Sequence, residues 1–283
     1  MKYLIYKGTG GLVHMLNGLQ AAIELAKKEQ RHLIIDTKRT SSFRKNFNDY
    51  FFIWDKELDY QTDYSNINDC DELYFEDIPI REIEEHGTKL IDGKYYLSNS
   101  TILLQNLCSM ENKQVRVYAG YSHNYIKNLR IKTNILYEIF DNCFEIIEKY
   151  KPYISVHFRN TDMKNSINVF IKKIRKASKK YKIKNIFIAT DDFFAFDSFK
   201  HFLPKLNFFR ICNIPNCNGK NMHYHFQNKD ELIKNTLKDL YMIIKSKYFI
   251  PSINSGISKW LIHQQNDVEN RLFDDDYNFE VIQ

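Results

Sequence analysis

Glycine and proline are scarce in this 283-residue chain, at nine and five residues. Loops with so few of either are not linker-like, and collagen-like or low-complexity classes are excluded. No apolar run approaches the ~18 residues that a membrane-spanning helix needs. The opening MKYLIYKGTGG places Lys2 before a short apolar run that Lys7 and glycines end. A secretory signal needs a longer apolar segment, so the expectation is a cytoplasmic chain, or a domain whose export signal is missing. Cysteine is limited to Cys70, Cys108, Cys143, Cys212 and Cys217. An odd number at scattered spacing is not a disulfide framework. Cys143 falls on the apolar face of a predicted helix and reads as a core thiol.

What the chain does have is aromatic mass. There are 21 Phe and 19 Tyr, within a hydrophobic fraction of 43% and a charged fraction of 27%. That suffices for a large core, and at ~100–200 residues per domain the length favours two domains. The 41 basic residues exceed the 35 acidic ones by six. A mild positive charge suits an anionic ligand such as a nucleotide, and leaves peripheral contact with an acidic membrane surface open. Nucleic acid is not expected, because the basic runs KKEQR and KKIRKASKKYKIK fall on exposed helix faces. The abundance of Lys, Asn, Ile, Phe and Tyr hints at AT-rich coding, as in a bacterium or a large virus.

The first forty residues read as strand, glycine turn, helix, strand. Tyr3 to Tyr6 are apolar, Gly8-Thr9-Gly10-Gly11 follow, and Leu16, Leu19, Ile23 and Ala26 repeat at helical spacing. His32 to Asp36 form a buried-type strand ending in a carboxylate. This is a βαβ unit, which implies a parallel sheet. Residues 37–113 are aromatic and polar with weak periodicity, and no element is assigned there. Val115 to Ala119 read as a strand, and Ile135, Ile139, Cys143 and Ile146 as one face of a helix. Pro152 ends that helix, and the domain boundary is placed there: 1–150 and 151–283.

A second α/β pattern begins at the strand Tyr153 to Phe158. Ile167, Phe170, Ile171 and Ile174 mark a helix; Asn185 to Thr190 a strand; Phe208 to Cys212 another. Asn228 with Glu231 is a capping-box pattern opening a helix with Leu232, Ile233, Leu237, Leu240, Tyr241 and Ile244 on its core face. Lys247 to Pro251 read as a short strand, then a small-residue loop leads to a helix with Trp260 and Leu261. The final residues are a candidate to cross back to the first domain, for which they are short.

Three polar clusters and one glycine turn follow predicted strands, where ligands of parallel sheets bind. His157-Phe-Arg159-Asn-Thr-Asp162 offers a guanidinium that can grip phosphate, with Asp162 to hold it or a ligand hydroxyl. The bland reading is a structural Arg–Asp pair. Asp191-Asp192 ends another strand, and one of the two can cap the next helix while the other faces the cleft. Ser252-Ile-Asn-Ser255-Gly256-Ile-Ser258 puts hydroxyls and N–H groups at a helix N-terminus, either an anion site or an ordinary capped turn. Gly10 and Gly11 let a ligand approach the backbone, although Val13 breaks the dinucleotide fingerprint G-x-G-x-x-G. Together they offer one cation, several hydroxyls and a helix N-terminus, which suits a pyrophosphate.

These motifs, in this order, resemble the GT-B fucosyltransferase superfamily, which includes the α1,2-, α1,6- and protein O-fucosyltransferases and the nodulation type. GGLVHMLNGLQAAIELAKKEQRHLIID resembles its glycine-rich start, VHFRNTD its H-x-R-x-x-D donor motif, IFIATDD its second motif, and DLYMIIKSKYFIPSINSGISKW its third. The resemblance implies an α/β GT-B fold of two Rossmann-like domains facing a cleft. The first would be mainly the acceptor side and the second would bind the nucleotide sugar. It implies an inverting, metal-independent transfer of fucose from GDP-fucose to a glycan hydroxyl, with no cofactor besides that donor. Arg159 would bind the β-phosphate and stabilise departing GDP. His157 and Asp162 would line the pocket, Asp191 or Asp192 would contact the donor or support its loop, and Ser255, Gly256 and Ser258 would donate to the phosphates.

Departures from the family pattern mark what stays open. Val13-His14-Met15 stand where the family has G-N-Q, so His14 would contact the donor sugar or serve as base, or be a partly buried histidine with no such role. Asn160 replaces the second arginine of the α1,6 branch. A different nucleotide sugar, or a catalytically inactive nucleotide- or sugar-binding module, stands as the alternative. Asp69-Cys70-Asp71 has D-x-D spacing, and Cys212, Cys217, His223 and His225 loosely zinc-like spacing, but neither sits in the context that a metal site needs. Asp274-Asp275-Asp276 reads as a solvated acidic turn.

Overall fold

The computed structural model describes residues 2–8, 10–38, 43–63, 125–161, 164–217, 222, 226–273 and 275–282, together with the backbone of five strands between 72 and 118. The chain divides into two compact units, Met1–Lys132 and Thr133–Gln283.

In the first unit, β1 (Tyr3–Lys7) leads through α1 (Leu12–Lys28) to β2 (His32–Asp36), which pairs with it in parallel. Leu16, Leu19, Ile23 and Ala26 are buried as their spacing requires. The helix ends where Gln30 turns left-handed (φ 52°) and the Arg31 N–H closes onto Ala26 O at 2.8 Å. Lys27 and Lys28 in its last turn complement the helix dipole. β3 (Phe51–Ile53) pairs antiparallel with β10 (Leu129–Ile131). The remaining strands are β4 (Tyr60–Gln61), β5 (Glu72–Phe75), β6 (Thr88–Ile91), β7 (Lys94–Leu97), β8 (Leu103–Gln105) and β9 (Val115–Tyr118). With β1 and β2 they form one sheet in the order β4-β2-β1-β9-β5-β8-β7-β6. It is parallel from β4 to β8 and antiparallel at the β8-β7-β6 end.

The second unit starts with α2 (Thr133–Tyr150), continues through β11 (Tyr153–Phe158), α3 (Ile167–Tyr181), β12 (Asn185–Thr190), α4 (Ala195–Phe202) and β13 (Asn207–Phe209), and ends with α5 (Lys229–Ile244), β14 (Tyr248–Ile250), α6 (Gly256–Asn266) and β15 (Glu280–Val281). Its sheet is wholly parallel in the order β13-β12-β11-β14-β15. β11, at its centre, is buried along its whole length, as a strand covered on both faces must be. Phe158 makes edge contacts with Phe170 of α3 and Phe199 of α4, at 5.0 and 5.3 Å between ring centroids. That wedge fixes the strand end from which Arg159 departs. Asn228 caps α5 as its spacing predicts: its Oδ1 accepts from the Glu231 N–H at 3.2 Å, and its Nδ2 donates to Glu231 Oε2 at 3.2 Å.

Four expectations shift. The division falls at 132/133 rather than 150, because α2 packs on α5 through Phe140 on Tyr241 (4.9 Å) and Lys234 Nζ to Glu138 Oε2 (2.8 Å). The buried face of α2 continues from Cys143 to Ile147, not Ile146. The C-terminal residues do not leave their unit: β15 extends its sheet beside β14. Asp275 is not merely solvated, since it pairs with Lys245 and accepts from the Tyr241 hydroxyl at 3.3 Å.

Candidate functional site

The strand order of the second unit places its reversal between β11 and β14: the chain runs outward from β11 to β12 and β13, then crosses back to β14. Ligands of such sheets bind at the carboxyl ends of the two strands flanking that reversal. Arg159 follows one of them and Ser252 follows the other. Ser252, 1% exposed, ties them together: its hydroxyl donates to His157 O at 2.7 Å and accepts from the Arg159 N–H at 3.0 Å.

The carboxylate that follows β12 holds the guanidinium. Asp191 Oδ2 lies 3.0 Å from Arg159 Nε, Asp191 Oδ1 accepts from the Asn160 N–H at 2.8 Å, and the Thr161 hydroxyl donates to Oδ2. Asp191 is nearly buried and Arg159 partly exposed, so the acid anchors the base from behind. Such a pair, rigid on one edge, presents a pre-oriented cation rather than a flexible one. Asp162, expected to do this, lies outside the described residues. Asp192 divides differently: its Oδ1 accepts from the Phe194 N–H at 2.9 Å ahead of α4, and its Oδ2 from Asn160 Nδ2 at 2.7 Å. Asn160 therefore bridges the two strand ends.

His157 and Ser258 sit one layer deeper. His157 is 5% exposed, and burial, helped by the Arg159 charge, pushes its imidazole down to about 3. The ring is therefore neutral at physiological pH. Its Nδ1 lies 2.8 Å from Ser258 Oγ, in the first turn of α6. Ser258 is fully buried, so its hydroxyl serves the histidine rather than the solvent side. Ser255 is the residue before α6, and its N–H bonds to Ser252 O at 2.9 Å. Gly256 opens the helix, half-buried. The positive end of α6 and Arg159 thus meet at one strand reversal, which is a place for an anion.

In the first unit the same kind of reversal lies at β1, which has β2 on one side and β9 on the other. Gly10 adopts φ +68°, and a Cβ there would come within 3.1 Å of His14 Cβ and Nδ1. Gly11 is the residue before α1, and His14, half-buried, lies in the helix's first turn against Gly10. Two features here escaped sequence reasoning. Lys7 Nζ pairs with Asp36 Oδ2 at 2.9 Å, both buried, across the carboxyl ends of β1 and β2. Lys7 reads in sequence as the end of an apolar run, and only register puts it opposite the acid. Asn17, on the same helix face as His14, buries an amide oxygen that makes no hydrogen bond within the described residues.

Asp69, Cys70, Asp71, His223 and His225 lie outside the described residues, and among those described no three His, Cys, Asp or Glu side chains gather as metal ligands would. No described helix is long and apolar enough to cross a membrane.

No protein-family model matches this sequence, and no curated protein matches it. Solved structures do. The fucosyltransferase NodZ from Bradyrhizobium superposes with a TM-score of 0.56 at 15% identity, over 92% of this chain and 91% of that one. POFUT1 in complex with GDP gives 0.60 at 12% identity, over 96% and 97%. POFUT1 in complex with GDP-fucose gives 0.58 at 10% identity, over 99% and 97%. What is shared at such identities is architecture, and the chain has the α/β GT-B fold of these fucosyltransferases.

Proposed function

We propose that this chain is a glycosyltransferase that moves fucose from GDP-fucose to a glycan hydroxyl, with inversion and without a metal. The observation that carries the reading is the knot of Arg159, Asp191 and Ser252 at the β11/β14 reversal. It is a built diphosphate site, and the structures sharing the fold include complexes with GDP and GDP-fucose.

The chemistry follows from charge. As the acceptor oxygen attacks the anomeric carbon, the bond from that carbon to the β-phosphate oxygen breaks, and GDP leaves with the electron pair. Negative charge grows on the β-phosphate, where Arg159 and the N–H groups opening α6 stabilise it more than they stabilise the ground state. That task is the one a metal performs elsewhere. Asp191 keeps the guanidinium aimed, and the neutral His157 backs the strand end without drawing charge from it. The acceptor proton goes to a base, for which His14 is the candidate in the first unit. That unit would hold the acceptor and the second the donor.

Hydrolysis and transfer assays with GDP-fucose, GDP-mannose and UDP-sugars test this directly. The expected result is turnover of GDP-fucose above the others, with Arg159→Ala losing about 10²–10³ in kcat, the scale for removing one preorganised donor from a developing anion. Turnover of another donor would reassign the sugar. GDP binding without turnover of any donor would leave a nucleotide-binding module.

A further inference from the structure

β12 ends in Asp191-Asp192, and the two residues that follow are Phe193 and Phe194, 41% and 66% exposed. The apolar face of α4 is filled by Ala195, Phe196 and Phe199, so neither ring is needed for that helix to dock. The two rings stand edge to face, 5.1 Å between centroids at 86°. They form a corner, one ring a floor and the other a wall. Their backbone is held in place: the Phe194 N–H bonds to Asp192 Oδ1, while Asp192 Oδ2 is held by Asn160, the neighbour of Arg159. The corner is thus two hydrogen-bonded residues away from the phosphate grip.

Topology says what passes over it. When a diphosphate sits at the reversal between the first and fourth strands, the nucleoside runs across the end of the second, whose terminal carboxylate meets the ribose. Here the second strand is β12, and just past its carboxylates stand the two rings. Every base has a π-face, and stacking on an aromatic ring is a general way of holding it. A two-ring base covers more of the corner than a one-ring base. We propose that Phe193 and Phe194 form the base-stacking subsite of the donor pocket and favour a purine nucleotide; this rests on the diphosphate reading of Arg159 given above.

The test is calorimetric titration of the full chain with GDP, UDP and inorganic pyrophosphate, for the wild type, the Phe193→Ser/Phe194→Ser double variant, Phe194→Tyr and Arg159→Ala. The double variant is expected to bind GDP about tenfold or more weakly, the range that loss of one base–aromatic stack produces. It should bind pyrophosphate within twofold of wild type and lose its preference for GDP over UDP. Phe194→Tyr, which keeps a ring, should bind GDP like wild type, and Arg159→Ala should weaken all three ligands. GDP affinity within twofold of wild type in the double variant would overturn the stacking subsite while leaving the diphosphate reading intact. An equal fall for pyrophosphate and GDP in the double variant would also overturn it. Wild type that binds neither GDP nor pyrophosphate would overturn the diphosphate reading and this inference together.

Discussion

Three donors converge on the carboxylate of Asp191: the Arg159 guanidinium, the Asn160 N–H and the Thr161 hydroxyl. Its removal should therefore disturb the site more than the loss of one ion pair. Asp191→Asn turns one acceptor into a donor facing Arg159, and kcat for transfer is expected to fall about 10- to 100-fold, the equivalent of ~1.4–3 kcal/mol for a lost charge-assisted bond. Steady-state kinetics with far-UV circular dichroism as a fold control checks this, and unchanged kcat would mean that Arg159 needs no anchor. Ser258 gives the contrasting case. Because its hydroxyl is buried against His157, Ser258→Ala should cost roughly 1 kcal/mol of stability with donor KM nearly unchanged. A large rise in donor KM would instead put Ser258 on the phosphates, as the family resemblance implied. For His14, the expectation is a loss of about 10²–10⁴ in kcat for His14→Ala, together with the acid limb of the pH profile, as for any lost general base. A preserved acid limb would assign that limb elsewhere. His157 contributes no limb, since its imidazole is held neutral down to about 3.

At the scale of elements, the parallel sheet of the second unit depends on helices that cover it. Ile174 of α3 is fully buried among Val156, Phe158, Ile186 and Ile188, so Ile174→Ala should cost about 2–5 kcal/mol in a denaturant titration. On α5, burial pushes the Asp239 carboxyl up to about 8. From about pH 4 to 8 the folded chain keeps a proton there that the unfolded chain has released, so stability falls as pH rises through that window. Asp239→Asn is expected to raise the thermal midpoint at pH 8 and flatten its pH dependence, and an unchanged midpoint would show that the carboxyl is solvated. Elements with a single clean period were legible: in α1, α3 and α5 the residues that spacing placed on the core face are buried, except Ile167 and Leu232, which are half-buried. α4 was not, because FFAFDSFKHF has phenylalanine on both faces, and those at 193, 194 and 202 are exposed. Nor were β3 and β10, which are three residues each and meet from positions 51 and 131, too short and too distant for any local pattern to announce.

For the whole molecule, two α/β units in series were readable because each has a first strand whose polar end follows an apolar run. What composition could not supply was partnership between strand ends. Asp191 on Arg159, Ser252 on His157 and Lys7 on Asp36 all join residues separated by tens of positions, and only parallel register brings them together. Among the described residues β11 to β15 pair only with one another, so a fragment spanning 133–283 is expected to unfold cooperatively on its own. A fragment that shows no transition would mean that residues before 133 complete its core. The central claim concerns where the diphosphate lies. A crystal structure of the full chain with GDP should place the β-phosphate within hydrogen-bonding distance of the Arg159 guanidinium and of the N–H groups that open α6, with the nucleoside over the end of β12. Nucleotide bound away from the β11/β14 reversal, with Arg159 still turned to Asp191 and no phosphate near it, would contradict the account.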